Sequence, residues 1–174
     1  MKLKYFSIFV LFLLAFPALG QRSKCPVVPD EYSWNSASDY SMDSSLVAEC
    51  LVWLCNAALY DRMECRSEVN LFVMEWLAGS PSVKIDVDSK LLPFTEENPE
   101  LLFSYIHGMA LYQLKNRRND DLVKSRIEGL KAVSQLVERE EDMKKSKDVR
   151  KLLRMAKSDK KLNNYYHKQV LLNA

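Results

Sequence analysis

The side chains from which site chemistry could be built here are four cysteines, two histidines and a pair of alternating aspartates. Cys50, Cys55 and Cys65 fall within one short stretch, CLVWLCNAALYDRMEC, and Cys25 stands apart near the N-terminus. A zinc site wants two close ligand pairs, such as C-x2-C with a second C-x2-C or an H-x3-H. The spacings are C-x4-C and C-x9-C instead, and His107 and His167 lie sixty residues apart. The chain has no C-x-x-C for a thioredoxin-like redox pair and no C-x-x-C-H for covalent haem. Neither a metal nor a cofactor is expected.

Disulfides are the remaining use for an even cysteine count in an exported chain. Cys50 and Cys55 sit on a stretch with helical apolar spacing. Five residues apart on a helix, they differ by about 140° in azimuth and about 7.5 Å in rise. Bridged cysteines need Cα atoms about 4.4–6.8 Å apart, so Cys50–Cys55 cannot close on an intact helix. A turn near Leu59 to Asp61 would bring Cys55 level with Cys65. The expected bridges are therefore Cys55–Cys65 and Cys25–Cys50, the first closing a helical hairpin and the second pinning an N-terminal arm.

Catalytic signals are sparse. His107 directly precedes Gly108 in the most apolar helix, where a histidine is expected to be buried and satisfied by a backbone or hydroxyl partner. There is no H-E-x-x-H, no G-x-S-x-G and no glycine-rich phosphate loop in a chain with four glycines. Asp86 and Asp88 share one face of an alternating run. Such a pair can do acid–base work or bind calcium. It is more simply the wet side of an edge segment.

The elements that must position these groups are mostly helical. MKLKYFSIFVLFLLAFPALGQ has a charged start, an apolar run from Tyr5 to Ala15 and a small-x-small end at Ala18-Leu19-Gly20, the pattern of a cleaved leader. Residues 21–42 are rich in Ser, Pro and Asp and read as an irregular arm. Asp43 or Ser44 then caps a helix carrying Leu46, Val47, Cys50, Leu51, Leu54 and Cys55 on one face. Asp61 caps a second, which presents Val69, Phe72, Val73, Trp76 and Leu77 and stops at Gly79. Val83, Ile85 and Val87 alternate with Lys84, Asp86 and Asp88, which predicts an extended segment over 83–88.

Asn98-Pro99-Glu100 starts a helix that is apolar nearly all round, hence central. Gly108 inside it predicts close approach of a neighbouring helix. Val123, Ile127, Leu130, Val133 and Val137 define a long amphipathic helix. Two shorter ones follow, on Val149, Leu152, Leu153 and Ala156, then on Leu162, Tyr165, Tyr166 and Val170.

Charge is unevenly spread. The whole chain has 25 basic and 23 acidic side chains. Loss of Lys2 and Lys4 with the leader would leave a net of zero. Residues 21–119 carry 9 basic and 14 acidic groups; residues 120–174 carry 14 and 9. Opposite nets in one domain predict that the halves pack together. The tract from Met143 to Lys161 holds nine basic and two acidic side chains. It lacks the interleaved aromatics of single-strand binders, so no nucleic acid partner is expected.

The layout FVMEWLAGSPSVKIDVD, with its Trp-x-x-Gly-x-Pro turn, then ALYQLKN, then IEGLKAV, resembles small secreted helical bacterial proteins of unassigned activity. The resemblance covers roughly residues 64–137. It implies an all-α fold and carries over no functional residue.

The expected architecture is an all-α helical bundle of about five to six helices with one short strand-like segment at 83–88. Residues 1–20 are the leader, 21–42 the arm and 43–174 a single helical domain. No transmembrane segment remains after leader removal. The expected function is that of a secreted or periplasmic module that binds a protein or a cell-envelope component, with no catalytic residues. The alternative is a small hydrolase or ligand-binding domain using His107 or the Asp86/Asp88 pair. A pocket-facing His107 with a carboxylate partner would favour the enzyme, and a packed one the module.

Overall fold

The computed structural model describes residues 24–60, 62–117 and 121–170. The expected leader, and Asp61 as a helix cap, lie outside the described residues. Helix α1 (Ala37–Asn56) opens on a capping box at Ser36. The Ser36 hydroxyl accepts the Asp39 N–H at 3.4 Å, and the Asp39 carboxylate accepts the Ser36 N–H at 2.8 Å. Hydrogen bonds from the Asn35 and Ser36 backbones hold the Asp39 carboxyl below its usual range. The helix therefore starts well before the expected cap at Asp43 or Ser44. Asp43 instead accepts the Trp34 indole N–H at 2.7 Å, and Ser44 bonds back to the Ser41 carbonyl.

Helix α2 (Met63–Gly79) follows a turn in which Arg62 takes the left-handed conformation at φ 53°. Helix α3 (Glu100–Lys115) starts after Pro99. Asn98 does not cap it with its side chain. Its amide N–H crosses instead to the Lys144 carbonyl at 3.0 Å. Asp121 caps α4 (Leu122–Arg139), accepting the Lys124 N–H at 3.0 Å. Ser146 caps α5 (Lys147–Ala156), and α6 (Asp159–Val170) completes the series. Among the described residues the fold is thus all-helical, with six helices and no strand, and the bundle expectation holds.

Helix α3 is the central element. Leu101, Tyr105 and Met109 belong to a core shared with α4, α5 and α6. Ile106, Ala110 and Leu114 belong to a second core shared with α1, α2 and the arm. Burying a side chain such as Leu101 or Met109 contributes about 1.5–3 kcal/mol. The ion pairs that join the oppositely charged halves, Arg126–Asp86 and Lys144–Glu97, are partly exposed and contribute under about 1 kcal/mol each. The two halves do pack together, and apolar burial holds them there.

Residues 83–88 belong to no helix and no sheet, so the expected strand does not form. The Gln113 side chain takes the place of a neighbouring strand. Its Oε1 accepts the Lys84 N–H at 2.8 Å, and its amide N–H donates to the Lys84 carbonyl at 2.9 Å. Val83 is buried, and Ile85 packs against both cores.

The cysteine pairing is a correction. Cys25 bonds to Cys65, with Cα atoms 6.4 Å apart; Cys50 and Cys55 are free thiols. The arm lies along α2, where Tyr32 meets Phe72 edge-on at 5.0 Å and Val28 is buried. That course brings Cys25 to the first turn of α2, and Cys50 lies wholly inside the core. Cys55 lines a different side of the helix, against α3 and α4. Cys50 and Cys55 are not bonded to each other, as helix geometry requires. The failing step was the requirement that every cysteine pair.

Candidate functional site

Gly108 sets where α3 can touch α4. A Cβ there would fall 2.7 Å from the Ala132 Cβ, 2.8 Å from the Glu128 carbonyl oxygen and 2.9 Å from the Gly129 Cα. A Cβ on Gly129 would likewise meet the Tyr105 backbone at 2.8 Å. This close crossing confirms the expectation for Gly108. His107, one residue earlier, is turned toward α2.

The His107 ring is 1% exposed. Its Nε2 lies 2.8 Å from Asn70 Oδ1. An amide oxygen only accepts, so Nε2 carries the proton and Nδ1 holds the lone pair. Nδ1 is buried with no hydrogen-bond partner. Burial, assisted by the Arg66 charge, pushes the ring's pKa down to about 3. His107 is therefore neutral at ordinary pH.

A cavity of about 210 Å³ lies over this pair, between α2 and α3. Its walls include Leu59, Arg66, Ser67 and Glu100. Met63 and Phe103 stand at its edge, 64% and 42% exposed. Arg66 is already engaged. Its guanidinium donates to the Leu54 carbonyl at 3.1 Å and the Ala57 carbonyl at 3.3 Å. Arg139 donates to the Cys55 carbonyl at 3.1 Å. Together they satisfy carbonyls that the last turn of α1 leaves open, where the helix dipole also favours positive charge. Burial, and then the neighbouring Arg139 charge, depress the Arg66 pKa.

The site can bury an apolar group against Met63 and Phe103. It has little equipment for acid–base work. The imidazole partner is an amide, not a carboxylate, and a base with a pKa near 3 takes up few protons near neutrality.

The aspartates are placed elsewhere and differently from each other. Asp86 pairs with Arg126, whose Nη1 also donates to the Tyr166 hydroxyl at 2.7 Å. Asp88 accepts the Lys90 N–H at 2.9 Å and closes a turn through its carbonyl. Among the described residues, no group of three or more His, Cys, Asp or Glu side chains could hold a metal ion. A second cavity, also about 210 Å³, lies beside Cys55, Gly108, Lys115 and Glu128. Burial raises the Cys55 pKa to about 11, against the opposing pull of Arg66, Arg139 and Lys115. Burial likewise raises Cys50 to about 11. Both thiols stay protonated near neutrality, so neither is an activated nucleophile.

Sequence reasoning singled out His107 but not Asn70, Met63 or Phe103. Phe103 was hidden by its place in a helix that is apolar nearly all round. Asn70 carries no local signal, because it meets His107 only across the α2–α3 gap. No family model, curated protein or solved structure matches the chain.

Proposed function

We propose that this protein is an exported, non-enzymatic helical module that binds another protein, and that the α2–α3 cleft receives an apolar side chain of that partner. The observation that carries the reading is a cleft of about 210 Å³ that exposed Met63 and Phe103 line together with the buried, neutral His107. A binding pocket combines apolar walls with a few placed polar groups in this way. The export reading rests on the leader pattern and on the Cys25–Cys65 bridge, a bond that persists in oxidising compartments. Among the described residues no helix is long and apolar enough to cross a membrane.

Photo-crosslinking in the native host tests this. A crosslinking residue at Met63 or Phe103 should capture one discrete protein. The same residue at Leu71, which is 56% exposed on α2 away from the cleft, should not. Phe103→Ser should abolish the capture at Met63. Equal capture at all three positions, or none at any, would count against the cleft. Peptidase or esterase activity that disappears in His107→Gln would favour the hydrolase reading over the binding module.

A further inference from the structure

We propose that the basic face of α5, continued through the turn into α6, docks on anionic phospholipid headgroups. The feature is separate from the α2–α3 cleft and independent of it. In α5, Val149 and Leu152 are buried, and the helix packs by that stripe on α4 and α6. Lys147, Arg150 and Arg154 fall within about 60° of one another on the opposite side of the helix, and all three are exposed. Lys157, Lys160 and Lys161 extend the exposed positive surface past the end of α5. The surface is thus spread over two successive helices and is not one narrow line.

The nearby acids do not neutralise it. Asp159 is held by Lys131 at 2.9 Å, and Glu97 pairs with Lys144 at 3.2 Å. Asp148 sits in the first turn of α5, where the helix dipole favours it. Glu141 and Asp142 lie in the preceding turn, outside the stripe. Among the described residues, Lys147, Arg154, Lys157, Lys160 and Lys161 make no ion pair.

Three features select a lipid surface. The exposed face has no Trp, Tyr or Phe ring on which a base or sugar could stack, because Tyr165 and Tyr166 are buried. The cations are mostly lysines, compact point charges on flexible stems that suit a fluid array of headgroups better than a fixed bidentate partner. The apolar stripe of α5 is already used in the core, so the helix cannot insert. Docking is therefore peripheral and electrostatic, and it weakens steeply with salt.

The test is vesicle co-sedimentation of protein purified from the native host. Vesicles of phosphatidylcholine with about one quarter phosphatidylglycerol should bind it at about 50 mM salt and release it at about 500 mM. Pure phosphatidylcholine vesicles should not bind it. Arg154→Glu with Lys157→Glu should weaken binding at least about tenfold. Lys24→Glu with Lys84→Glu makes the same change in net charge away from the stripe and should leave binding within about twofold. Circular dichroism checks that each variant folds, and Lys147→Gln with Lys160→Gln should give a smaller loss in the same direction. Equal losses in the two charge-reversed pairs would overturn the proposal. So would failure to bind the anionic vesicles, or retention on dextran sulfate without vesicle binding.

Discussion

The two sides of α3 are held by different means. On one side, α1, α2 and the arm share a core that is cross-linked by Cys25–Cys65 and covered by stacked Tyr32, Trp34 and Tyr40 over Phe72 and Trp76. On the other, α4 meets α3 through Gly108 and Gly129, and α5 and α6 close over the core without a disulfide. Small residues let two backbones touch, and such a contact needs no staple. Where α2 and α3 stand apart, an open cleft remains, and the chain secures that side with a covalent bond and aromatic cover. The cleft proposed to receive a partner lies on that stapled side.

The strongest way to break this comparison is to remove the staple. The Cys25–Cys65 bridge spans a sequence separation of 40. In the chain-entropy model a loop of that size contributes about 4 kcal/mol. Cys25→Ser with Cys65→Ser should lower stability by about 3–4 kcal/mol in urea titration. Hydrogen exchange should rise more in α1 and α2 than in α4. Equal rises on both sides would show that the staple serves the whole bundle.

The next largest effect comes from His107. Its folded pKa of about 3 lies below the ordinary value of 6.5. Between those values the unfolded chain binds a proton that the folded chain refuses. His107 therefore costs nothing near neutral pH, and stability falls as pH drops below 6.5. The loss between pH 7 and pH 5 should be about 2 kcal/mol. His107→Phe should remove that slope while leaving Asn70 Oδ1 without its donor. A slope unchanged in His107→Phe would mean that the ring is not buried and neutral.

On the unstapled side, Gly108→Ala is the matching probe. Alanine gains about 1 kcal/mol of helix propensity. Its Cβ would nonetheless sit 2.8 Å from the Glu128 carbonyl oxygen, which is backbone and cannot swing away. Overpacking costs about 1–3 kcal/mol, so a net loss of up to about 2 kcal/mol is expected in thermal unfolding. A stabilised variant would show the crossing to be looser than the structure has it.

Much of this architecture was legible in the chain. The central role of α3 followed from apolar residues on all its faces, and its contact with α4 from Gly108. The two short C-terminal helices followed from their 3.6-residue stripes. What escaped was decided by distant partners or by competing uses of one residue type. Ser36 and Asp39 form a capping box inside a serine-rich stretch that reads as coil, and several of its residues are plausible caps. Asn98 has the right place for a cap but is drawn to the Lys144 carbonyl, which no local pattern reveals. The cysteine pairing turned on the path of the arm along α2. That path is set by aromatic contacts between residues some forty positions apart, such as Tyr32 with Phe72.

The smallest effect concerns the segment that joins the two sides. A stretch outside helix and sheet must find other partners for its backbone. The structure uses Gln113 instead, which reaches Lys84 with both atoms of its amide and also donates to Ser125 Oγ at 2.9 Å. Gln113→Glu keeps the acceptor for the Lys84 N–H. It loses the donor, and it sets a carboxylate against the Lys84 carbonyl. These bonds are largely exposed, so water compensates in part, and the loss should be about 0.5–1.5 kcal/mol. Amide exchange at Lys84 should change less than the overall stability does, because its acceptor survives. Gln113→Ala should expose both Lys84 groups and speed that exchange markedly. If neither variant alters exchange at Lys84, Gln113 does not hold the segment in place, and the burial of Val83 and Ile85 against the two cores does.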